Sequence, residues 1–216
     1  CWKDRNGQYL RDGILEDGEI AQITSIPHDY AVFSDYDKIS DWSGIEYLTS
    51  LKYLSCSNSF TSGDQFIKHP IIKLDVSKCT ALKSLNCPVY GTELDVSGCP
   101  NLERLICGGD RLTQLDLSHN PALTYLSCGG SELTELDLSH NPQLAVLLCG
   151  DNKLEKLDLS YNPALTYLVC EGNELTELDL SHNLQLAALR CDDNRLVKLD
   201  LTHNAALVHL YCAGNK

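Results

Sequence analysis

The sequence predicts a solenoid, in which a coiled chain stacks its turns and buries apolar side chains between them. Three observations lead to this prediction. A 21-residue frame recurs over about three quarters of the 216 residues, leucine and cysteine hold fixed positions in the copies, and a shorter half-pattern repeats inside each copy. A unit this short cannot bury its own apolar residues, so the copies must stack on one another.

The chain divides into an N-terminal segment and the repeats. We expect residues 1–38 to form a cap and residues 39–216 to form one continuous repeat array. A partial copy, LTSLKYLSCSN, occupies residues 48–58 and precedes the full copies. The full copies begin at Ile71, Gly91, Leu112, Leu133, Leu154, Leu175 and Leu196.

Each copy follows the frame LxxLDLSxNpxLxxLxCxxNx, which contains two related halves, LxxLDLSxN and LxxLxCxxN. In an extended segment alternate side chains point to the same face, so Leu-x-Leu and Leu-x-Cys each direct two apolar groups inward. Stacked turns are therefore expected to form two parallel ladders on opposite sides of a flattened coil, with the leucines and cysteines between them.

With LxCxxN in one half and LDL in the other, the repeats resemble the nested 21-residue leucine-rich repeats of bacterial internalin-like proteins. The stretch ISDWSGIEYLTSLKYLSC (residues 39–56) is similar to the entry into such an array, and residues 9–26 are similar to its small N-terminal cap. The resemblance implies a leucine-rich repeat solenoid of the α/β class in which β-structure dominates. It implies a right-handed superhelix with a parallel sheet on the concave face, short extended or β segments on the opposite face, and little helix outside the cap.

The composition suits a single exported domain. The chain is 43% hydrophobic and 22% charged, so it can bury a long core. Its formal net charge of −13 argues against a nucleic-acid partner, because no basic stripe is present to neutralise phosphates. It contains no run of 18 apolar residues, so no segment is expected to span a membrane.

The cysteines follow the repeat. Eight of the 11 share the inward slot of the LxC strand: Cys56, Cys87, Cys107, Cys128, Cys149, Cys170, Cys191 and Cys212. We expect buried free thiols that act as small hydrophobic groups, because neighbouring side-chain vectors run parallel and disfavour a disulfide. Cys79 and Cys99 instead replace the frame asparagine in successive copies and are the candidate pair for a disulfide. No CxxC-type spacing suited to zinc occurs, and we expect no bound metal or cofactor.

Asparagines recur where each strand turns a corner. One set is Asn120, Asn141, Asn162, Asn183 and Asn204, and the other is Asn152, Asn173, Asn194 and Asn215. Asparagine tolerates left-handed backbone, and its amide can bond to backbone groups that a turn leaves free. We therefore expect both sets to be architectural.

An acidic column follows the second half of the frame. It contains Asp75, Asp95, Asp116, Asp137, Asp158, Asp179 and Asp200, each followed two residues later by serine or threonine. Like charges ~5 Å apart repel, so we expect hydrogen bonds from the hydroxyls and corner amides, together with ion pairs across turns to neighbouring lysines. Calcium would require six to eight oxygens and a wrapping loop, which a flat ladder lacks.

Other polar columns show no catalytic pattern. His119, His140, His182 and His203 share one column, and we expect them to be polar residues at a solvent-facing corner. The sequence shows no nucleophile paired with a base, no isolated carboxylate pair and no glycine-rich phosphate loop. We therefore predict that the chain is not an enzyme.

Two outward positions on the LxC strand vary between copies, in contrast to the constant aspartate of the other half. They combine aromatic, arginine and exposed aliphatic residues, which is the composition of protein-binding hot spots. We predict ligand contacts from Tyr53, Arg104, Ile106, Tyr125, Val146, Leu148, Tyr167, Arg190, His209 and Tyr211.

The family resemblance implies that these positions line the concave face, where such proteins bind partners. We therefore predict an extracellular or cell-surface module that binds a protein or a glycan. The alternative is a spacer that holds another domain away from the surface and has no ligand of its own. A longer corner at residues 59–70 either folds over one side of this face or is a tolerated surface insertion.

Both ends of the sequence allow two interpretations. Cys1 is either the lipid-modified first residue of an outer-membrane lipoprotein, attached to the membrane only through that lipid, or the start of a trimmed fragment. Lys216 closes a repeat without a polar cap, so the last turn either self-associates with another molecule or continues into a longer protein.

Overall fold

The computed structural model describes residues 23–26, 44–56, 74–87, 94–109 and 111–216. Cys1, most of the predicted cap and the 59–70 corner lie outside the described residues. A short 3₁₀ helix, η1, spans Ile45–Tyr47. The strands are β1 Ser25–Ile26, β2 Tyr53–Ser55, β3 Ser84–Asn86, β4 Arg104–Ile106, β5 Tyr125–Ser127, β6 Val146–Leu148, β7 Tyr167–Val169, β8 Ala188–Arg190 and β9 His209–Tyr211.

The described strands form one parallel sheet in the order of the sequence, from β1 to β9. Eight of the strands are the LxC segments of the repeats, and β1 belongs to the predicted cap. The register places central leucines opposite one another, as in the pairing of Leu126 with Leu147. The sheet lines the concave face of a right-handed superhelix, as parallel connections favour. The predicted leucine-rich repeat solenoid is confirmed.

The core lies behind the sheet and consists almost wholly of leucine and cysteine. Along each repeat strand from β2 to β8 the central leucine is buried, and its neighbours on either side face outward. The cysteine that follows is also buried, and Cys128 and Cys149 have no solvent exposure. In the last turn Leu210 is 42% exposed, because no further described turn covers it.

The opposite side of the coil differs from the prediction of a second ladder. Most of the described LDL segments are extended but do not form strands. Adjacent turns share single backbone bonds there, such as Lys153 N–H to the Leu133 carbonyl (2.8 Å). The reason is local: the N–H of Ser139 donates to Asp137 Oδ1 (2.9 Å) and is therefore not available to a neighbouring turn.

The two asparagine sets bond the turns to one another at the corners. In the first set, Asn162 Nδ2 donates to the carbonyls of Leu138 (3.0 Å) and Asn141 (2.9 Å). In the second set, the side-chain amide both accepts and donates hydrogen bonds. Asn173 Oδ1 accepts the N–H of Leu154 (3.0 Å), and Asn173 Nδ2 donates to carbonyls of its own turn and the preceding one. Apart from the half-buried Asn215 of the last turn, both sets are buried, and they are architectural, as predicted.

Replacing Asn162 with leucine should lower the free energy of unfolding by ~1–3 kcal/mol, because two buried carbonyls lose their donor. An Asn162→Cys variant should lose less, since a thiol can donate one weak hydrogen bond in the same slot. Equilibrium urea unfolding of both variants provides the measurement. Equal stability of wild type and Asn162→Leu would contradict this role.

Candidate functional site

The ten predicted contact residues lie on the outward side of one sheet. We call this surface the sheet face; it comprises the outward positions of β2 to β9. Six of the residues occupy the column before the central leucine: Tyr53, Arg104, Tyr125, Val146, Tyr167 and His209. Four occupy the column after it: Ile106, Leu148, Arg190 and Tyr211. The parallel register aligns each column across the strands.

The register brings some of these residues together and separates others. Arg104, Tyr125, Val146 and Tyr167 are consecutive neighbours on β4 to β7. Tyr53 is separated from them by the strand that carries Ser84. The first column is therefore continuous in its middle and interrupted towards both ends.

Two arginine–tyrosine contacts give the sheet face its local structure. The Arg104 guanidinium lies 3.5 Å from the centroid of the Tyr125 ring, which is a stacked cation–π geometry. Arg190 lies 5.5 Å from the Tyr211 ring centroid, and its Nη2 is 2.6 Å from Glu171 Oε2. Arg190 is thus neutralised within the protein, whereas Arg104 has no ion-pair partner among the described residues.

The sequence analysis omitted neighbours that belong to the same surface. Val169 lies between Leu148 and Arg190 in the second column. Lys83 and Glu103 stand one residue before the first column and form an ion pair at 2.5 Å between Nζ and Oε1. The signal that could have found this pair is its position: it immediately precedes the variable residue in two successive copies.

The cysteine column is a buried apolar element without a reactive centre. Burial raises the pKa of the Cys128 thiol to about 12, and burial is also the main cause that raises the pKa of Cys191 to about 11. Thiols with such pKa values stay protonated and are poor nucleophiles. All ten described cysteines are free, and Cys212 is the exposed one.

Cys79 and Cys99, the candidate pair for a disulfide, are free thiols in the structure. Each thiol occupies the asparagine slot and donates to a carbonyl of a preceding turn: Cys79 Sγ to Ile45 (3.4 Å) and Cys99 Sγ to Val76 (3.5 Å). Both side chains therefore point along the stack towards the preceding turn. Cysteine here replaces part of the hydrogen bonding that asparagine provides in later turns.

The structure is similar to a solved structure described as the functional domain of InlJ from Listeria monocytogenes, which includes a cysteine ladder. The two sequences are 40% identical, the TM-score is 0.81, and the match covers 93% of this chain and 41% of that chain. This chain belongs to the internalin-like leucine-rich repeat proteins. Membership of this family indicates a protein-interaction module.

More distant solved structures share the fold. An internalin, InlF, from Listeria monocytogenes is 19% identical with a TM-score of 0.61, over 83% of this chain and 59% of that chain. A leucine-rich repeat protein of Leptospira interrogans is 16% identical with a TM-score of 0.55, over 80% and 57%. The chain thus spans less than two thirds of each of these proteins. Neither a protein-family model nor a curated protein matches the sequence.

The acidic column of this internalin-like protein is stabilised within each repeat. Asp95 Oδ1 accepts the hydroxyl of Ser97 (2.7 Å) and its N–H (2.9 Å). These bonds lower the pKa of the Asp95 carboxyl, and the same arrangement recurs along the column. The predicted hydrogen bonding is confirmed. Among the described residues from Asp95 to Asp200, the lysine contact of the column joins Lys198 to Asp200 within one repeat (3.1 Å) and not across turns as predicted.

The rest of the opposite side offers an open groove but no metal centre. The groove has a volume of about 680 Å³ and is lined by residues such as Glu135, Lys156 and Tyr161. Among the described residues, no three histidine, cysteine or acidic side chains are grouped to hold a metal ion. The ring of His140 instead forms a hydrogen bond with the adjacent Ser139 hydroxyl (3.0 Å between Nδ1 and Oγ).

Within the described part of the chain, no helix is long and apolar enough to cross a membrane.

Thiol accessibility tests the cysteine column. In the folded protein at pH 8, a thiol reagent should modify Cys212 rapidly and leave the nine buried described thiols unmodified. In denaturant at least ten thiols should react. A Cys212→Ser variant is the control, because it should lose one rapidly reacting thiol and keep the buried set. A denatured count well below ten would contradict the free-thiol column.

Titration of Asp200 tests the acidic column. The hydroxyl and N–H of Thr202, together with Lys198, lower the pKa of Asp200 to about 2. A folded-state pKa below the unfolded value (about 3.9) stabilises the fold above that pH, and the contribution is lost as pH falls towards 2. Thr202→Val should therefore raise this pKa, as measured by carboxyl NMR titration. It should also reduce stability at neutral pH and have a smaller effect near pH 2, and an unchanged pKa would refute the assignment.

Proposed function

We propose that this internalin-like chain is an extracellular recognition module that binds a protein ligand through the sheet face. One observation carries the proposal: outward side chains vary from strand to strand on this surface, whereas the inward leucines and cysteines, the corner asparagines and the aspartate column of the opposite side repeat. The repeated positions have structural roles in the core, the corners and the acidic column. The variable positions have few such roles, and they carry the aromatic and arginine residues.

The exposed residues of the sheet face support this assignment. Tyr53, Tyr167 and Tyr211 are 51%, 40% and 54% exposed, and Arg104 is also exposed. Large aromatic side chains and arginine dominate the energetics of protein interfaces. Their exposure on a chain with a well-buried core is unfavourable for solubility unless a partner covers them.

The backbone beneath these residues is held in place before any partner binds. From β2 to β8 each strand is hydrogen-bonded to a neighbour on both sides, and the corners are fixed by asparagine amides. A preformed surface loses little conformational entropy on binding, so more of the contact energy appears as affinity. This rigidity favours recognition and does not suit a flexible tether.

The size of the sheet face favours a protein over a small ligand. Eight strands at ~4.8 Å separation extend over ~34 Å, and each strand contributes at least two outward side chains. A surface of this extent is comparable with one side of a standard protein interface. A glycan ligand is the alternative, and the binding experiment below distinguishes it from a protein ligand.

The proposal includes the cellular location of the protein. The similarity of this chain to internalins supports an extracellular site of action. Lipid attachment at Cys1, self-association through the last repeat, and a boundary between a 1–38 cap and a 39–216 array stay predictions from the sequence. Mass spectrometry of the native N-terminus tests the first of these directly.

The tyrosines of the sheet face provide the functional test. A Tyr125→Ser/Tyr167→Ser variant should keep its melting temperature within a few degrees, because both side chains lie outside the core, and should lose ligand binding. Tyr161→Ser is a matched control: Tyr161 is 57% exposed but lies at a corner of the opposite side. Wild type and both variants should be presented to arrays of cell-surface proteins and of glycans.

Three results decide the proposal. Binding to a protein that is lost in the double variant and retained by Tyr161→Ser supports it. The same pattern on the glycan array supports the glycan alternative. Equal behaviour of all three proteins, or no binding to either array, would favour the spacer interpretation and overturn the proposal.

A further inference from the structure

We infer that the ligand segment that contacts the sheet face is an extended polypeptide. It carries an acidic side chain over β2 to β4 and a large apolar side chain over β6 and β7. This inference rests on the proposed function and adds the chemistry of the partner. The observations that carry it are the charge distribution and spacing on the sheet face.

Cations are concentrated at the β2–β4 end, although the chain as a whole has a formal charge of −13. Lys52 and Lys83 precede the first column on β2 and β3, and Arg104 lies in that column on β4. One carboxylate, Glu103, stands among them and pairs with Lys83. Lys52 and Arg104 have no ion-pair partner among the described residues, so this end of the face has an excess of positive charge.

Arg104 is arranged to receive a carboxylate. Its guanidinium carbon lies 3.5 Å from the centroid of the Tyr125 ring, and this stacking restricts the rotation of the side chain. A guanidinium in this state can donate two parallel hydrogen bonds to one carboxylate with little further loss of side-chain entropy. The exposed lysine Lys52 adds a long-range attraction on the same side.

The middle of the sheet face has no charged side chain in either outward column. Val146 and Leu148 on β6 lie beside Tyr167 and Val169 on β7. Tyr167 is 40% exposed, and the other three are partly exposed. An apolar or aromatic side chain of a partner would cover this patch and exclude water from it.

The far end of the face disfavours an acidic side chain of the partner. There Arg190 is already paired with Glu171 at 2.6 Å. An acidic residue of the partner would meet the Glu171 carboxylate and a neutralised arginine at this end. The same residue gains attraction at the β2–β4 end, so only one orientation along the sheet is favoured.

The spacing defines the motif. Arg104 on β4 and Tyr167 on β7 are three strand separations apart, which is ~14 Å at ~4.8 Å per strand. An extended chain covers about 3.3 Å per residue, so about four residues separate the acidic and the apolar side chain of the ligand. The segment would run across the strands, along the axis of the solenoid.

Selection from a phage-displayed library of random dodecapeptides tests this inference with a defined probe. The full chain is used as wild type, as a Lys52→Glu/Arg104→Glu variant, and as a Lys156→Glu/Lys198→Glu variant. The last pair changes the net charge equally but lies on the opposite side, so it is the matched control. The Tyr125→Ser/Tyr167→Ser variant is included to follow the proposed function.

Wild type and the opposite-side control should enrich peptides with Asp or Glu about four residues from an aromatic or aliphatic residue. The Lys52→Glu/Arg104→Glu variant should lose these peptides or enrich Lys or Arg at the acidic position. An enriched peptide, made synthetically, should bind this variant at least about tenfold more weakly than wild type and bind the control within about twofold.

The outcomes separate the two proposals. Tyrosine-dependent enrichment without an acidic preference, or enrichment that survives the Lys52→Glu/Arg104→Glu change, overturns the inference alone. Enrichment that survives the tyrosine double variant counts against the sheet face itself and thus against the proposed function. No enrichment by wild type overturns the inference that a short extended segment is sufficient for contact.

Discussion

Each inner turn of this protein is buried by the turns on either side of it, and the other features of the structure depend on this constraint. A turn can stack only if its leucines and cysteine pack against the equivalent residues of the adjacent turns. The register of the sheet therefore fixes which residues face inward in every turn. The corner asparagines meet the same constraint with hydrogen bonds, because Asn162 bonds a carbonyl of the preceding turn at the corner itself. Regular stacking in turn holds the outward residues in straight columns.

The stacking constraint explains which features could be predicted from the sequence. The inward leucines, the cysteine column and the strand positions follow from the period, because residues that must stack cannot vary. The LDL segments were harder to predict, since their alternation is the same as that of a strand. What decides against a second ladder is a local competition, in which Asp137 takes the N–H of Ser139.

The candidate site was predictable in position but not in its contacts. Outward columns can be read from the repeat, and the ten residues do share one surface. The stacking of Arg104 on Tyr125 and the pairing of Arg190 with Glu171 depend on side-chain rotamers, which the periodicity does not contain. Similarly, the free thiols of Cys79 and Cys99 depend on the direction in which each side chain leaves the corner.

The parallel register determines how the sheet face changes when a repeat is lost or duplicated during evolution. The copies from residue 112 onwards are in phase and nearly interchangeable in their core, so loss or duplication of one 21-residue unit leaves every remaining stacking contact with an equivalent neighbour. The sheet face is altered more strongly. The outward side chains of all strands beyond that point shift by one strand, ~4.8 Å, relative to those of the strands before it. Recombination between repeats thus moves an aromatic patch towards or away from a charged one in fixed steps, while the hydrophobic core remains intact.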